Sequence, residues 1–325
     1  VALSLVVAGG LVGLLLWQVE LSEVWAVLAG GRLDLLVPAS ALLALHYVLK
    51  GLRWRALLGP EVPRLLAVKL TMVGFLLNNL FPARAGELGR PYLLSKNHPD
   101  ASFAFALATL IGDKLLDLLF TLLCLGLAAS VLSMPDFVRA GAAALATIGL
   151  VAMGTAVGAG RWLERGGRLP ARWEERFVRP LVVARDFAAG LGTVSRPRRF
   201  LAASAWTAGT FVLASFALVL CMQAVGVEGD VGHALFVLGL LGIGFAIPSP
   251  PTHAGTYHFF AAQALQLSGV AEPETAVAFA LLAHALQVVT VSVLGLASTV
   301  GLDWRGPLGR LRAPGVGSPD EVSEP

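Results

Sequence analysis

The sequence is short of charge. Charged residues fill 14% of its 325 positions, against 56% apolar; a soluble domain carries about a quarter charged. That shortage excludes a single soluble globular domain, and the apolar excess excludes a disordered chain. Cysteine is scarce as well: Cys124 and Cys221 are the only two, and both lie within apolar runs. They give no disulfide framework and no metal site, and read as small buried residues. There is no GxxxxGK[ST] loop and therefore no ATPase engine of that kind, no GxSxG and no HExxH. No cluster resembles a nucleophile with its base. The expectation is a protein that is not an enzyme and carries no cofactor or metal.

What the chain has is length of apolar sequence. About eight runs hold nearly all of it, with the charge confined to the loops between them. A membrane-spanning helix needs roughly 20 apolar residues, so eight runs use about half the chain. One anchor does not explain so many runs, which excludes a peripheral protein, and continuous rather than alternating hydrophobicity excludes a β-barrel. The class is an all-α, polytopic integral membrane protein. The basic balance comes mostly from one arginine-rich loop and signals orientation rather than nucleic acid. The first run has no basic segment before it, so a cleaved signal peptide is not expected.

The runs are Val1–Trp17, Leu35–Leu49, Leu65–Phe81, Phe103–Leu132, Phe137–Gly160, Phe200–Gln223, Ala234–Ile247 and Ala276–Leu302. Between the first two, Leu21, Val24, Trp25 and Leu28 form a stripe that predicts a short interfacial helix. The second run closes on Lys50, Arg53, Trp54 and Arg55, read as a positive-inside mark with an aromatic anchor. Residues 161–199 hold ten arginines against four acids. There Trp173, Phe177, Leu181 and Ala184 fit either an amphipathic helix on the inner leaflet or a solvated basic loop. Residues 1–302 form the membrane domain, and 303–325 a Pro/Gly/acid tail expected to be cytoplasmic and disordered.

Charge parity constrains the path. If every run spans and the N-terminus is inside, the arginine segment falls outside, against the positive-inside rule. The conflict vanishes if Leu65–Phe81 and a helix over about 87–96 form a hairpin that enters and leaves on the cytoplasmic side. The seventh run and a helix over about 255–267 then form a second hairpin, entered from outside. This leaves six spanning helices and two re-entrant hairpins, with the N-terminus, 161–199 and the tail cytoplasmic. Both hairpins turn at proline-rich breaks, one at Pro82 and Gly86, the other at Pro248, Pro250 and Gly255. Irregular backbone at membrane depth is tolerated where it is buried in protein or lines a wet cavity. Ala104–Leu107 also matches Ala278–Leu281 in the helices that follow, and with opposite hairpin directions this is the pattern of an inverted repeat.

Charge gathers at the first break. Arg84, Glu87 and Arg90 follow it, and the fourth run contributes Asp113, Lys114 and Asp117. Each charge at mid-depth costs about 2.5–3.5 kcal/mol on insertion scales, so the group needs partners or a purpose. Asp113 and Asp117 are expected to approach Arg84 or Arg90 across a polar cavity lined by Asn78 and Asn79. On one reading the arginines hold a phosphate, the helix N-terminus after Gly86 adds donors, and Glu87 takes part in gating or proton coupling. On the plainer reading these charges sit at the cytoplasmic rim and anchor loops. At the second break His253, Tyr257 and His258 suit head-group contact, proton shuttling or helix packing; the spacing of five between the histidines suits a metal poorly. His46, His233 and His284 stand alone and read as structural.

Asn78-Asn79-Leu80-Phe81-Pro82-Ala83-Arg84-Ala85-Gly86-Glu87-Leu88-Gly89-Arg90 resembles the signature of the lysylphosphatidylglycerol synthase transmembrane region, a family also described as flippase-like. Asp113-Lys114-Leu115-Leu116-Asp117 is similar to that family's acidic motif in the next helix, and Arg53-Trp54 to its early basic-aromatic pair. Pro248-Ser249-Pro250 through Gly255-Thr256-Tyr257-His258 resembles its second motif, with His258 where the family commonly has Glu. The resemblance implies an inner-membrane protein that moves a phospholipid or polyprenyl-linked lipid between leaflets, with anionic membrane lipids as its partners. It leaves open a membrane subunit working beside a lipid-modifying enzyme, and a secondary transporter of a small anionic solute. Fused members carry a soluble aminoacyl-transfer domain; without one, a synthase name would express kinship only.

Overall fold

The computed structural model describes residues 2–81, 84–98, 100–132, 197–245 and 250–304 continuously, together with residue 247 and scattered positions between 136 and 196. Ten helices of nine residues or more lie in the continuous stretches, and no strand occurs among the described residues. They are α1 (Ala2–Trp17), α2 (Leu21–Ala29), α3 (Leu36–Leu58), α4 (Arg64–Leu80), α5 (Ala85–Asn97), α6 (Phe103–Val131), α7 (Pro197–Ala224), α8 (Val231–Gly244), α9 (Thr256–Leu267) and α10 (Pro273–Ser298). Their starts follow local chemistry. The Ser102 hydroxyl accepts from the Phe105 N–H at 3.2 Å, and Pro197 and Pro273 stand in the first turns of α7 and α10, where a missing donor costs nothing. Asp230 and His233 close a reciprocal capping box on α8. Outside the apolar runs, the Asp230 carboxyl is held below its usual range, chiefly by the His233 backbone N–H.

Among the described residues four stretches are long and apolar enough to cross a membrane: Leu33–Leu58, Phe103–Val131, Pro197–Ala224 and Pro273–Ser298. Val6–Trp17 and Leu21–Ala29 pass the same test only as a pair, bent by 85°. The protein is therefore a multi-pass helical membrane protein. Its outward faces agree: Val289, Val293, Leu296 and Val300 run down one exposed side around α10, a helical stripe facing outward where a soluble protein would be polar. The fifth run, Phe137–Gly160, is described at some positions only. The stripe Trp173, Phe177, Leu181 and Ala184, most of 161–199, and the tail from residue 305 lie outside the described residues.

The α4–α5 and α8–α9 pairs each fold back on themselves. Along α5, Gly86 meets Asn78 and Gly74, and Arg90 reaches further back to Thr71, so the two helices run antiparallel. Backbone approaches backbone here: a Cβ on Gly86 would collide with the Gly74 carbonyl. In the second pair Phe260 lies over Gly244, and Phe245 contacts the rings of His253 and Tyr257. The largest apolar core joins α7, α8, α9 and α10, with Phe236, Tyr257 and Phe279 at its centre. A smaller one around Trp54, Leu70 and Leu94 joins α3, α4 and α5.

The second run does not end where charge begins. Lys50, Arg53, Trp54 and Arg55 lie within α3, which continues to Leu58. Arg53 and Trp54 are 1% and 0% exposed, so they are not an interfacial mark. Their partners, described next, are inside the protein.

Candidate functional site

Among the described residues three non-glycine positions have positive φ: Arg84 (54°), Thr252 (62°) and His253 (61°). Arg84 is the N-cap of α5, and the other two belong to a single 3-10 turn, Pro251–His253, that leads into α9. All three are therefore at hairpin tips. A left-handed conformation is costly for side chains with a Cβ, most of all for β-branched Thr252, and persists where the surroundings fix it. Gly255 (φ 82°) meets the same demand with the residue suited to it.

Both tips open into one cavity of about 390 Å³. Every helix from α3 to α10 reaches its wall. Leu43, Phe75, Leu118, Phe211, Leu238 and Leu241 make much of the wall apolar, while Lys50, Asn78, Asn79, Arg84, Glu87, Lys114 and Asp117 form a charged end. His253, Tyr257 and Gln287 line it from the second hairpin and α10.

The ion pairs sort these charges into two groups. In the first, Arg53 donates from Nε to Asp113 Oδ1 at 2.7 Å and from Nη1 and Nη2 to the two oxygens of Asp117 at 2.5 and 3.1 Å. Lys50 adds a 3.3 Å bond to Asp117. Arg90 stands 3.8 Å from the other oxygen of Asp113, donates to Thr71 at 3.1 Å, and lies over the Trp54 ring at 4.3 Å. Arg53, Arg90 and Asp113 are buried, and each charge is compensated by a neighbour on another helix, as a low-dielectric site requires. This group ties α3, α5 and α6 together.

The second group is more open. Glu87 receives Lys114 at 2.8 Å and Arg84 at 3.5 Å. These three side chains are between 27% and 38% exposed, and all line the cavity. One carboxylate thus serves two cations. Among the described residues of the cavity wall three cations face two carboxylates, which leaves positive charge for an anion to meet.

The second hairpin has its own polar link. His258 Nε2 and His284 Nδ1 are 2.9 Å apart, and His284 Nε2 is 2.7 Å from the Thr252 carbonyl. Tyr257 stacks on His284 with centroids at 4.6 Å. No group of three or more His, Cys, Asp or Glu side chains that could hold a metal ion occurs among the described residues.

The structure brings Asn78, Asn79, Arg84, Glu87, Lys114 and Asp117 to one cavity with His253 and Tyr257. It places Arg90 and Asp113 behind that wall. The expected approach of the carboxylates to Arg90 occurs for Asp113, but their main partner is Arg53, and Arg84 pairs with Glu87 instead. The Gly86 N–H, expected to face an anion, donates to Asn78 Oδ1 at 2.9 Å. Pro250 starts the second tip; Pro82 and Pro248 lie outside the described residues. His284 is not isolated, and neither is His46, which lines the cavity and whose Nδ1 is 2.7 Å from the Thr210 carbonyl. Sequence reasoning missed Lys50 and Arg53 as site residues. Their spacing of three on a helix that resumes apolar character at Ala56 was the available signal.

Comparison with curated proteins and with solved structures gave no match. The model of one family, the lysylphosphatidylglycerol synthase TM region, matches residues 1–295, a stretch that contains both hairpins, the cavity and the ion pairs. With that coverage, the chain belongs to the lysylphosphatidylglycerol synthase TM region family.

Proposed function

We propose that this protein moves an anionic phospholipid or polyprenyl-phosphate lipid between the leaflets of a cell membrane, without covalent chemistry of its own. The observation that carries the reading is the pair Arg84 and Lys114 on the single carboxylate Glu87, at the charged end of a cavity with largely apolar walls. A phosphate head group matches the surplus cation, and the apolar wall suits a lipid better than a small free anion.

On this reading the two hairpins are re-entrant and the fold is an inverted repeat. The packing supports it. Exchange α3, α4, α5 and α6 for α7, α8, α9 and α10, and the pattern of neighbours is preserved: α4 packs on α10 as α8 packs on α6. In the same way α5–α6 corresponds to α9–α10, and α3–α4 to α7–α8, while α3 and α7 pack on each other. Such repeats place their site at mid-membrane between discontinuous helices. The strained tips are then the moving parts, opening in turn to each side, with Glu87 exchanging its cations for the phosphate. The N-terminus, 161–199 and the tail lie in the cytoplasm by the parity argument.

A photoactivatable phosphatidylglycerol in proteoliposomes tests the site. Crosslinks concentrated on peptides from α4, α5 and α6, reduced severalfold by Arg84→Gln with Lys114→Gln and by excess unlabelled anionic lipid but not zwitterionic lipid, are expected. Labelling confined to the outer faces, and unaltered by the substitutions, would overturn the assignment.

A further inference from the structure

Three hydroxyls of the cavity wall are left over once the charges are paired. Tyr47 on α3, Thr121 on α6 and Tyr257 on α9 all line the cavity, and these residues are 5%, 7% and 2% exposed. Among the described residues none of the three hydroxyls has a hydrogen-bond partner, and none is sealed within the protein. The Gln287 amide on α10 also lines the cavity without a partner among them. A hydroxyl held in low-dielectric surroundings without a partner costs free energy, and a hydrogen-bonding ligand removes that cost. The position of these groups follows from the register of α3 on α6. Trp54 meets Thr109, Arg53 meets Asp113, and Lys50 meets Asp117. The residue number falls on α3 as it rises on α6, so the two helices run antiparallel. One turn further on, Tyr47 and Thr121 stand level with each other, about 5 Å beyond the Lys50–Asp117 pair. From the other half, Tyr257 stacks on His284, and Gln287 follows His284 by one turn of α10. The cavity therefore changes from charged to neutral and hydrogen-bonding over one helical turn.

We propose that Tyr47, Thr121, Tyr257 and Gln287 form a second subsite that takes an uncharged, hydroxyl-bearing head group beyond the phosphate, and that the cavity refuses head groups carrying an amine. The proposal deepens the transport reading and rests on it: the cations hold the phosphate, and the hydroxyl subsite selects what the phosphate carries. The refusal follows from the carboxylates. Among the described residues of the wall these are Glu87 and Asp117. Glu87 already receives Lys114 and Arg84, and Asp117 receives Arg53 and Lys50. An amine would find neither carboxylate free and would stand among Lys50, Arg84 and Lys114. That like-charge approach is a repulsive element of the kind that sets specificity. A hydroxyl meets no such opposition. It both donates and accepts, as do the two tyrosines, the threonine and the Gln287 amide. Phe75, in edge contact with Tyr47 at 5.1 Å, lines the same stretch and gives the carbon face of a polyol an apolar surface. The glycerol of a phospholipid and a sugar on a polyprenyl phosphate share this chemistry, neutral hydroxyls on a singly charged phosphodiester.

Competition against the photoactivatable phosphatidylglycerol, in proteoliposomes of phosphatidylcholine, tests the subsite. The competitors are phosphatidylglycerol, a polyprenyl-phosphate hexose, phosphatidylethanol and lysylphosphatidylglycerol. Phosphatidylethanol has the same single charge as phosphatidylglycerol and no head-group hydroxyl; the lysyl lipid adds amines. In the wild type the first two should compete at concentrations roughly tenfold lower than phosphatidylethanol, the size of one or two neutral hydrogen bonds, and the lysyl lipid should compete least. Whichever of the first two is stronger names the source of the head group. Tyr47→Phe with Thr121→Val removes two hydroxyls and little volume, and should bring phosphatidylglycerol down to the level of phosphatidylethanol. The wild-type series needs no variant. Equal competition by phosphatidylglycerol and phosphatidylethanol, as expected if water alone satisfies these groups, would overturn the proposal. So would unchanged discrimination in the double variant, or strong competition by the lysyl lipid. If Arg84→Gln with Lys114→Gln still reduces the labelling in those cases, the transport reading survives the loss of the subsite. Discrimination as expected, with no movement of lipid between leaflets, would defeat the transport reading and leave the subsite standing.

Discussion

At the scale of single residues, the main division is between charges that hold helices together and charges that face the cavity. Arg53 belongs to the first kind. It is 1% exposed and engages two carboxylates on α6. Removing one partner of a buried pair strands the other, which costs about 3–5 kcal/mol. Arg53→Ala should destabilise the detergent-solubilised protein by that order, and Arg53→Lys should recover only part, since an ammonium does not reproduce the two-pronged contact. Thermal unfolding followed by intrinsic tryptophan fluorescence checks both. Arg84 and Lys114 belong to the second kind: Arg84→Gln or Lys114→Gln should leave the unfolding midpoint nearly unchanged, within the range of about 0–1 kcal/mol found for partly exposed pairs, while lowering lipid capture. Sequence reasoning found the cavity charges because Pro and Gly framed them. It missed Arg53 as their structural counterpart because the apolar run stopped four residues earlier, at Leu49, and a cation after an apolar run ordinarily marks a membrane boundary.

At the scale of elements, the helices were largely legible and their tertiary links were not. The runs at Phe103, Phe200 and Ala276 became α6, α7 and α10 with ends shifted by a few residues, because apolar length is a strong local signal. The helix expected over about 87–96 forms from Ala85 to Asn97 despite Pro91. By contrast, His258 and His284 are 26 residues apart, and no periodicity brings them together; only the return of the chain through α9 and α10 does. Close packing also escaped the sequence. Gly74 and Gly86 let α4 and α5 touch backbone to backbone, and Gly86→Val should separate the pair at a cost of about 1–3 kcal/mol, seen as a lower unfolding midpoint and weaker protection of α5 against exchange. At the other hairpin Asp230 caps α8. Asp230→Ala should cost about 1 kcal/mol near neutral pH. The bound carboxylate has a depressed pKa, so its share of stability is complete above the ordinary carboxylate range and is lost as pH falls through the lowered folded value. The gap between wild type and Asp230→Ala should therefore narrow below about pH 4, which unfolding midpoints at several pH values would show.

At the scale of the whole molecule, composition established the membrane class, and the family match over residues 1–295 agrees with it. Among the described residues four stretches are long enough to span, with α1 and α2 as a bent fifth candidate. The shorter α4 and α8, with 17 and 14 residues, are the helices that parity assigned to hairpins. In the structure α4 packs on α10 and α8 on α6, the exchange of neighbours that the proposed inverted repeat requires. Cysteine labelling from outside whole cells should leave positions in 161–199 unmodified and modify a cysteine at Glu228; the reverse pattern would invert the topology. The central claim is that a lipid head group passes between the two hairpin tips by way of Arg84, Glu87 and Lys114. The direct measurement is movement of fluorescent phosphatidylglycerol between leaflets of proteoliposomes, followed by quenching of the outer leaflet. The account predicts movement above protein-free vesicles for the wild type, and a loss of roughly tenfold or more, about 1.4 kcal/mol in the barrier, for Arg84→Ala and Glu87→Gln. Equal movement in all three proteins, or none in the wild type across several anionic lipids, would contradict it.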